Sequence, residues 1–376
     1  MAEIKLLDTG CVYRNTNPGY TYTFACHSHM LQLGHDELLC AYQRGAALYA
    51  VDSVMARSRS KDGGKTWEDE GLIYDPAGDN RRYSYHGPTL TRLDDGSLII
   101  NATRWDRSDP DHPLFNEKTG GLEPAETVLL RSNDGGASWS APEVVALPDG
   151  MVLTASGPIV VLKDGQWMQP FDQWHAYHEP GPYKPRSVCL FSSDNGKTWG
   201  EPVTFGVADN PDIGHWHGRI FRRRDDRLHT QLWSANMKTS AALPLHRTIG
   251  SVDGREWTKP EPTNIPGQTN WAADLGDDCM SIIYTVRETD PPGFYGVVST
   301  DGGKQWDLGN QIHIWDATGR DKIGIDAADA YPRSHDSISY GAPTSTVLDN
   351  GDVFCTFWCT EVSVTQIKYA RLRVAR

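Results

Sequence analysis

Two histidine pairs, each with one residue between its members, are groups that could carry out chemistry. His27 and His29 form one pair, and His215 and His217 form the other, with Arg219 two residues further on. Alternate residues of a β-strand face the same way, so we expect each set to project together if these segments are strands. Histidine exchanges a proton near neutral pH, and imidazole also binds zinc and related metals. The pattern therefore predicts acid–base catalysis, with a divalent metal site as the alternative.

Further polar and aromatic residues occur at comparable places along the chain. We predict four catalytic residues: His27, His86, His217 and Tyr340. The residues that we predict to bind substrate are His29, Tyr85, Trp105, Asp106, Asp172, Trp174, His215, Arg219, Trp271, Arg287 and His335. The simplest alternative is that the histidines only bond to the backbone and fill the centre of the fold.

Carboxylates and tryptophans extend this pattern toward carbohydrate chemistry. Hydrolysis of a glycosidic bond uses a pair of carboxyl groups in most enzymes, and the loop candidates here are Asp106, Asp172, Glu179 and Glu288. Aromatic faces pack on the apolar side of sugar rings, and the candidates for this role are Trp105, Trp174, Trp233 and Trp271. Solvated loop carboxylates and ordinary core tryptophans are the alternatives. We expect an oligosaccharide or a glycoside as the ligand.

An internal repeat marks the elements that would position these residues. Five segments follow the pattern S-x-D-x-G-x-T-W in whole or in part: 60–67, 132–139, 192–199, 251–257, which is one residue short, and 299–306. Aspartate and glycine form a tight turn, in which aspartate accepts backbone N–H bonds and glycine adopts positive φ. The tryptophan buries its ring against the neighbouring sheet. Each copy, called an Asp box below, predicts one hairpin turn per structural unit.

Six further segments predict the hairpins that precede these turns. Each has an apolar run, an acidic or glycine-containing turn and a second apolar run: 30–39, 90–100, 159–168, 220–232, 272–284 and 344–357. Four strands in each of six units make an all-β, six-bladed β-propeller, and we expect one domain over residues 1–376. The sixth unit has no box, so we expect either residues 367–373 or residues 4–13 to close the ring. The long insertions, where function usually lies, are 103–126, 171–185, 235–246 and 309–339.

Charge and composition exclude several classes of partner. The 376 residues carry a formal net charge of −13, which disfavours nucleic acid, because phosphate binding needs a basic surface. There is no apolar run of about 18 residues, so we expect no membrane span. The first residues lack a basic segment followed by an apolar one, which favours a cytoplasmic protein. The seven cysteines are scattered without a C-x-x-C motif, as is typical of thiols in a reducing compartment. The sequence indicates no oligomeric state.

Five Asp boxes on a predicted six-bladed propeller resemble the sialidase-like superfamily of BNR, or Asp-box, proteins. The resemblance covers nearly the whole chain. It implies the propeller fold, with the boxes on the side away from the pocket. Members of the superfamily include exo-sialidases, other glycosidases, polysaccharide lyases and proteins that bind glycans without cleaving them. The fold alone therefore does not determine the activity.

The positions that are catalytic in sialidases hold different residues in this chain. The place of the Arg-Ile-Pro motif reads CHSH at residues 26–29, and the place of the glutamate holds His217. The nucleophilic tyrosine corresponds to the region of Ala342, with Tyr340 two residues earlier, and the third arginine falls near Phe294. The arginine triad that binds the carboxylate of sialic acid is not visible in this sequence.

The sequence therefore favours an exo-acting enzyme of glycosidase type with a histidine-rich pocket. A polysaccharide lyase is the alternative enzyme, in which a Tyr–His pair removes the proton next to a uronate and an arginine neutralises its carboxylate. A propeller that binds glycans without cleaving them is the second alternative. The sequence requires no cofactor, apart from the divalent metal of the alternative above.

Overall fold

The structure is a computed structural model that describes residues 2–148, 150–181, 183, 185–319 and 338–375. Its secondary structure is almost entirely β, with two single-turn 3₁₀ helices at Pro76–Gly78 and Leu308–Asn310. Six antiparallel sheets form the blades of a propeller, so the predicted architecture is confirmed. No helix among the described residues is long and apolar enough to cross a membrane.

The strands are short and follow one another with few long connections. In chain order they are β1 (Glu3–Tyr13), β2 (Phe24–Gln32), β3 (Leu38–Gly45), β4 (Val54–Ser60), β5 (Glu68–Leu72), β6 (Tyr83–Arg92), β7 (Leu98–Asp106), β8 (Glu126–Ser132), β9 (Glu143–Val144), β10 (Val152–Ala155), β11 (Val160–Val161), β12 (Trp167–Trp174) and β13 (Arg186–Ser192). They continue with β14 (Val203–Thr204), β15 (Ile213–Trp216), β16 (Phe221–Arg222), β17 (Leu228–Asn236), β18 (Ala242–Gly250), β19 (Glu261–Pro262), β20 (Asn270–Gly276), β21 (Cys279–Val286), β22 (Gly293–Ser299), β23 (Ile312–Asp316), β24 (Tyr340–Val347), β25 (Val353–Glu361) and β26 (Val364–Ala375).

Each blade runs from an inner strand at the axis to an outer strand at the rim. Blade one is β2-β3-β4-β5, blade two is β6-β7-β8-β9, and blade five is β20-β21-β22-β23. The innermost strand is interrupted in blades three and four, so that β10 and β11 both pair with β12, while β15 and β16 both pair with β17. The outer strands of these two blades are β13-β14 and β18-β19.

The two ends of the chain build blade six together, in the order β24-β25-β26-β1 from the axis outward. The register pairs Glu3 with Ala375. The hydroxyl of Tyr369 donates a hydrogen bond to Asp8 across this pair at 2.9 Å. Both segments that the sequence offered for closing the ring are therefore used, β26 as the third strand and β1 as the outermost one.

The hydrophobic core lies between the blades, where the faces of neighbouring sheets meet. Phe294 of blade five packs on Phe357 of blade six with 4.4 Å between ring centroids, within one buried cluster. Equivalent clusters occupy the other blade interfaces. The second strands of the blades, such as β21 and β25, are consequently buried on both faces, which agrees with the continuous hydrophobic runs in the sequence.

The first Asp box shows how each repeat fixes its turn. Ser60 Oγ accepts the N–H of Gly64 at 2.8 Å and donates to Asp62 at 2.8 Å. Asp62 accepts the backbone N–H and the hydroxyl of Thr66, at 2.9 and 2.6 Å. These hydrogen bonds, with that of the Thr66 hydroxyl foremost, lower the pKa of Asp62 to about 2. Trp67 Nε1 donates to the carbonyl of Gly64 at 3.0 Å, so the predicted turn is confirmed.

The glycine of the box is required for contact with the preceding blade. Gly64 has a φ of 92°, and a Cβ at this position would lie 2.5 Å from the ring of Phe354 in blade six. Gly136 has the same relation to Leu39 of blade one, at 2.6 Å. Only glycine fits where a turn approaches a neighbouring sheet this closely.

Arginines on the third strands of blades one, two and four bond to the Asp box of the next blade. Arg59 donates to the carbonyl of Gly135 at 3.0 Å. The same kind of bond occurs twice more, as Arg131 to Asn195 and as Arg247 to Gly302. Blade three has Phe191 at the corresponding position, and there Arg255 of the next box lies 3.5 Å from the centroid of the phenyl ring. A cation–π contact thus replaces the hydrogen bond at that interface.

The alternation of strand direction puts the boxes and the starts of the inner strands on opposite faces of the ring. The loops on the face where the inner strands begin are therefore available for a functional site. The predicted insertion at 235–246 is smaller than expected, because β17 and β18 extend into it and leave a turn at 237–241. Residues 320–337 of the last predicted insertion lie outside the described residues.

Candidate active site

A funnel-shaped cavity opens on the face opposite the Asp boxes, where all six blades meet. It encloses about 810 Å³, part of which is open to solvent. Eight of the residues singled out in the sequence line its wall: His27, His86, Trp105, Asp172, Trp174, His217, Arg219 and Trp271.

Backbone bulges bring two of these histidines to the cavity wall. His27 has a φ of 47° and His217 a φ of 55°, in the left-handed region that residues other than glycine rarely adopt. The corresponding positions of blades two and six are Gly87 and Ala342, with φ of 58° and 45°. The strand ladder shifts register at this point in blades one, two and six. Strained positions of this kind persist at functional sites because the surrounding structure holds them.

The same bulges separate residues that we expected to project together. His29 lies behind the wall, where its Nδ1 accepts the N–H of Leu90 at 3.2 Å. His215 is buried within blade four, with Nδ1 2.8 Å from Ser234 Oγ and its ring 5.0 Å from that of His246. Burial lowers the pKa of both His29 and His215 to about 3. The expectation of a shared direction is wrong here, because a residue at positive φ interrupts the alternation.

Asp172, near the end of β12, is the carboxyl group of the cavity wall and is 3% exposed. Its Oδ1 accepts the N–H of His217 at 2.9 Å and the hydroxyl of Ser187 at 3.4 Å. Burial raises the pKa of Asp172 to about 7, against the opposing effects of these hydrogen bonds and of the charge on Arg219. A carboxyl group with this pKa both holds and releases a proton near neutral pH, which suits acid–base catalysis.

His217 approaches the same carboxyl group with its side chain. Its Nδ1 lies 3.6 Å from Oδ2 of Asp172. The imidazole stacks on Trp233, with 5.6 Å between ring centroids and an interplanar angle of 5°. The side chain of His217 is 30% exposed and lines the cavity, and Trp233 packs on one face of its ring. The pair joins a buried acid to an accessible imidazole.

Arg219 forms part of the cavity floor. Its Nη1 donates to the carbonyls of Asn270 and Pro343, at 2.8 and 2.9 Å. Its guanidinium carbon lies 5.3 Å from the centroid of the Trp271 ring. Burial lowers the pKa of Arg219 to about 10, while the charge of Asp172 acts in the opposite direction. Arg219 thus stays a cation at neutral pH and links blade four to blades five and six.

His27 and His86 form the wall on the side of blades one and two. The ring of His86 packs against Trp105 and Tyr49, at 4.8 and 5.7 Å between centroids. Burial lowers the pKa of His86 well below its usual range, and the nearby His27 adds to the effect. His27 Nδ1 lies 3.1 Å from Oε1 of Gln43, an atom that only accepts, so Nδ1 carries the proton. This wall therefore presents a neutral His86 imidazole.

Two insertions build the wall above blades two and three. Leu122 forms bridges with both Phe115 and Ala176, which join one insertion to the other. Trp174 packs edge-on against Phe115, with 6.2 Å between centroids, and its Nε1 donates to Thr154 at 2.7 Å. The insertions, which the sequence marked only by their length, form one continuous wall with an aromatic surface.

Two of the predicted site residues lie between blades five and six instead of in the cavity. Tyr340 is 1% exposed, and its hydroxyl donates to the carbonyl of Val286 at 2.7 Å. Arg287 donates to the side chain of Gln268 and to the carbonyl of Tyr340. Both residues therefore serve the contact between the blades in this structure.

The remaining predicted residues are also placed away from the cavity or are not described. Tyr85 is buried in blade two and donates to Asp79 at 3.1 Å. Asp106 is exposed and pairs with Arg81 at 2.8 Å. Residue His335 lies outside the described residues. The two other loop carboxylates also do not line the cavity and bond locally, Glu179 to Ala176 and Glu288 to Gln268.

Several residues of the site have no motif that would have identified them. Tyr49, Thr103 and Phe115 line the cavity, and Ser187 bonds to Asp172. Ser187 could have been found only from the pairing of neighbouring strands, because it lies opposite Asp172 in the ladder between β12 and β13. Within the described part of the chain, no group of three His, Cys, Asp or Glu residues is arranged to hold a metal ion.

Comparison with solved structures finds the same fold in proteins of several kinds. A protein of unknown function from Dyadobacter fermentans DSM 18053 has a TM-score of 0.74 at 18% identity, over 99% of this chain and 100% of that one. The Hadza microbial sialidase Hz136 has a TM-score of 0.66 at 16% identity, over 94% and 66% of the two chains. The alpha-L-arabinanase of Penicillium chrysogenum has a TM-score of 0.62 at 15% identity, over 97% and 98%. At these identities the similarity establishes the fold.

Comparison with sequence families gives a more specific result. No curated protein matches the chain. Residues 36–308, which include all five Asp boxes, match the family described as BNR repeat-like domain. The match spans most of the chain and agrees with the six-bladed propeller that the structure shows. The chain belongs to the BNR repeat-like domain family.

Proposed function

We propose that this protein cleaves a glycosidic bond by acid catalysis in the cavity. The observation that carries the proposal is the buried carboxyl group of Asp172, which has a pKa of about 7 and lies beside the accessible ring of His217. A carboxyl group whose pKa is raised by burial can donate a proton to a leaving group at neutral pH. The occurrence of the same fold in a sialidase and an arabinanase supports a carbohydrate as the substrate.

Each residue of the cavity has a separate role in the proposed reaction. Asp172 gives its proton to the departing oxygen, and His217 holds the carboxyl group and exchanges the proton with solvent. His86 and His27 orient sugar hydroxyls, because the ring nitrogens of histidine form hydrogen bonds with hydroxyl groups. Arg219 holds the floor rigid through its bonds to two neighbouring blades.

The shape of the cavity supports an exo-acting enzyme. The insertions joined at Leu122 close one side of the funnel, so an internal segment of a long polysaccharide has no straight path across it. The end of a chain fits such a pocket. Trp105, Trp174 and Trp271 supply aromatic faces for a sugar ring at this position.

Product analysis tests the proposal directly. The protein is incubated with three trisaccharides: one of arabinose, one of galacturonic acid, and sialyllactose. Each incubation is done with and without a chelator. The products are then separated, and their masses are measured by mass spectrometry. We expect release of a monosaccharide from the end of one series, with water added across the broken bond, and loss of this activity in Asp172→Asn. Full activity of that variant, or no cleavage of any glycan, would overturn the proposal.

A polysaccharide lyase is a second candidate for one specific reason. Asp172 is the one carboxyl group among the described residues of the wall, whereas most glycoside hydrolases use two. A lyase needs a base rather than a second carboxylate, and a histidine of the wall can act as that base. Its product is an unsaturated uronate that absorbs near the ultraviolet edge, without added water. Binding of a glycan without any product would instead identify a non-catalytic propeller.

A further inference from the structure

We propose a second sugar-binding surface beside the cavity, formed by Tyr183, Trp216 and Trp233 and called the blade-four ledge. It would hold the sugar on the leaving side of the scissile bond. The inference rests on the proposed glycosidase function and names the class of substrate that the site selects. That class is an oligosaccharide whose leaving group is itself a sugar.

The strand pairing of blade four presents two large aromatic rings together. Trp216 of β15 and Trp233 of β17 are direct partners in the antiparallel ladder. Directly opposed residues lie on the same face of a sheet, and these two rings are 5.5 Å apart at an angle of 42°. Both tryptophans are partly exposed. Partly exposed, adjacent aromatic faces are the surface that stacks on the apolar side of a sugar ring.

Tyr183 connects the ledge to the wall of the cavity. Its hydroxyl accepts a hydrogen bond from Nε1 of Trp216 at 3.1 Å, which fixes the indole and satisfies its polar atom within the protein. The ring of Tyr183 is parallel to that of Trp174, at 5.6 Å and 4°. Trp174 lines the cavity. The aromatic surface therefore continues from the cavity wall onto the ledge without interruption.

The position of the acid decides which sugar the ledge would hold. Trp233 supports the ring of His217, and His217 lies beside Asp172. Acid catalysis requires the proton donor on the side of the departing oxygen. The ledge adjoins the donor on this side, so it faces the leaving group, while the cavity takes the sugar whose anomeric carbon reacts.

The reaction is balanced without any additional reactant. The proton of the Asp172 carboxyl group moves to the glycosidic oxygen as the bond between that oxygen and the anomeric carbon breaks. The oxygen of a water molecule bonds to the anomeric carbon, and one of its protons restores the acid. The departing sugar then leaves from the ledge with a new hydroxyl group.

The test compares long and short substrates in Trp216→Ala. We measure kcat and KM on the trisaccharides used above and on the methyl glycosides of their terminal sugars. We expect KM for the cleaved trisaccharide to rise about tenfold, which corresponds to about 1.4 kcal/mol of lost aromatic contact, and the values for the methyl glycoside to stay unchanged. An equal change of KM for both substrates, or no change for either, would contradict the proposal that the ledge binds sugar.

Control variants separate this effect from a general loss of structure. Trp139→Phe alters a tryptophan of an Asp box on the opposite face, and we expect wild-type KM for both substrates. Tyr183→Phe removes the bond to Trp216 but keeps the ring, and we expect a smaller rise of KM for the trisaccharide alone. Thermal unfolding confirms that each variant is folded.

A binding measurement keeps the two proposals distinguishable. If no glycan is cleaved, the glycosidase proposal fails, and tryptophan fluorescence titration with the same trisaccharides then tests the ledge alone. Weaker trisaccharide binding by Trp216→Ala than by the wild type, at unchanged binding of the methyl glycoside, supports the ledge as a binding surface. Absence of binding, or equal binding by both proteins, contradicts it.

Discussion

His217 holds the carboxyl group of Asp172 from two sides: its backbone N–H donates to Oδ1 at 2.9 Å, and its Nδ1 lies 3.6 Å from Oδ2. Both contacts come from one residue because its φ of 55° turns backbone and side chain toward the same partner. A residue with ordinary strand geometry would direct its N–H into the ladder. The strained backbone of blade four is therefore part of the machinery that positions the acid.

Replacement of Asp172 by asparagine removes the proton donor while retaining the shape of the side chain. We expect kcat to fall by about 10² to 10⁴, the usual contribution of general acid–base catalysis, with a small change in KM. Steady-state kinetics on the substrate found by product analysis measures this. Asp106→Asn is the matched control, because Asp106 is exposed and paired with Arg81 outside the cavity; similar losses in both variants would contradict the assignment.

The pH dependence of activity should report the carboxyl group of Asp172. The protonated form is the active one, so kcat/KM should fall as pH rises through about 7. Ser187 donates a hydrogen bond that favours the ionised form, so Ser187→Ala should move this descending limb to higher pH. A shift to lower pH, or none, would count against Asp172 as the titrating group.

The buried carboxyl group of Asp172 should lower the free energy of unfolding at neutral and higher pH. Its folded pKa of about 7 lies above its usual value of 3.8, so its contribution to stability is present at low pH and is lost as pH rises from 3.8 to 7. We expect Asp172→Asn to raise the free energy of unfolding at pH 8 by roughly 1–3 kcal/mol and to change it little near pH 4. Urea denaturation at the two pH values measures the difference. An equal effect at both would refute the electrostatic explanation.

The buried histidines should limit stability in acid. Burial lowers the pKa of His215 in the folded protein to about 3, below the ordinary 6.5. The stability that comes from burying a neutral His215 is therefore fully present above pH 6.5 and is lost as pH falls toward 3. His215→Asn keeps a side chain that can bond to Ser234 but does not titrate. Between pH 6 and 4, we expect its unfolding free energy to fall less than that of the wild type, by on the order of 1 kcal/mol per pH unit.

A surface histidine provides the control for this experiment. His35 is exposed in the first hairpin of blade one. His35→Asn should follow the wild-type curve of unfolding free energy against pH. If His35→Asn and His215→Asn behave alike, burial of His215 is not the cause of the acid sensitivity.

The arginine bonds between blades should contribute strongly to stability. Arg59 bonds to Glu70 and Glu37, each at 2.6 Å, and to the carbonyl of Gly135 in the next blade at 3.0 Å. Arg59→Ala removes the cation beside Glu37 and one of the two beside Glu70, which still pairs with Arg57, and we expect a loss of roughly 1–3 kcal/mol of unfolding free energy. Lys65→Ala, in the exposed part of the Asp box that directly follows Arg59, should cost less than about 0.5 kcal/mol. Chemical denaturation compares the two variants.

The repeat made the fold predictable, because each Asp box is a local structure whose hydrogen bonds lie within eight residues. Ser60, Asp62 and Thr66 bond to one another regardless of what surrounds them. The six hairpin segments predicted the number of blades, and the five boxes set the register of the inner strands. Ring closure was harder, since the pairing of Glu3 with Ala375 joins segments separated by nearly the whole chain.

The site was predicted only in part, because side-chain direction depends on bulges that leave no sequence pattern. The spacing of His215 and His217 is that of a regular strand, yet the positive φ of His217 sends the two rings to different places. The importance of Asp172 became apparent from its burial, which raises its pKa. Burial at the junction of blades three and four is set by tertiary packing and cannot be read from neighbouring residues.

The pairing of β1 with β26 also sets the order of events during protein synthesis. Residues 3–13 are translated before the other strands of the ring and their partner at 364–375 after them, so the ring stays open until the last of these strands has been made. During that time the edges of the first and last blades are exposed to other chains. Since all six blades contribute to the cavity wall, a truncated product would never assemble it. The cavity wall is thus completed only after β26 has been made and has paired with β1.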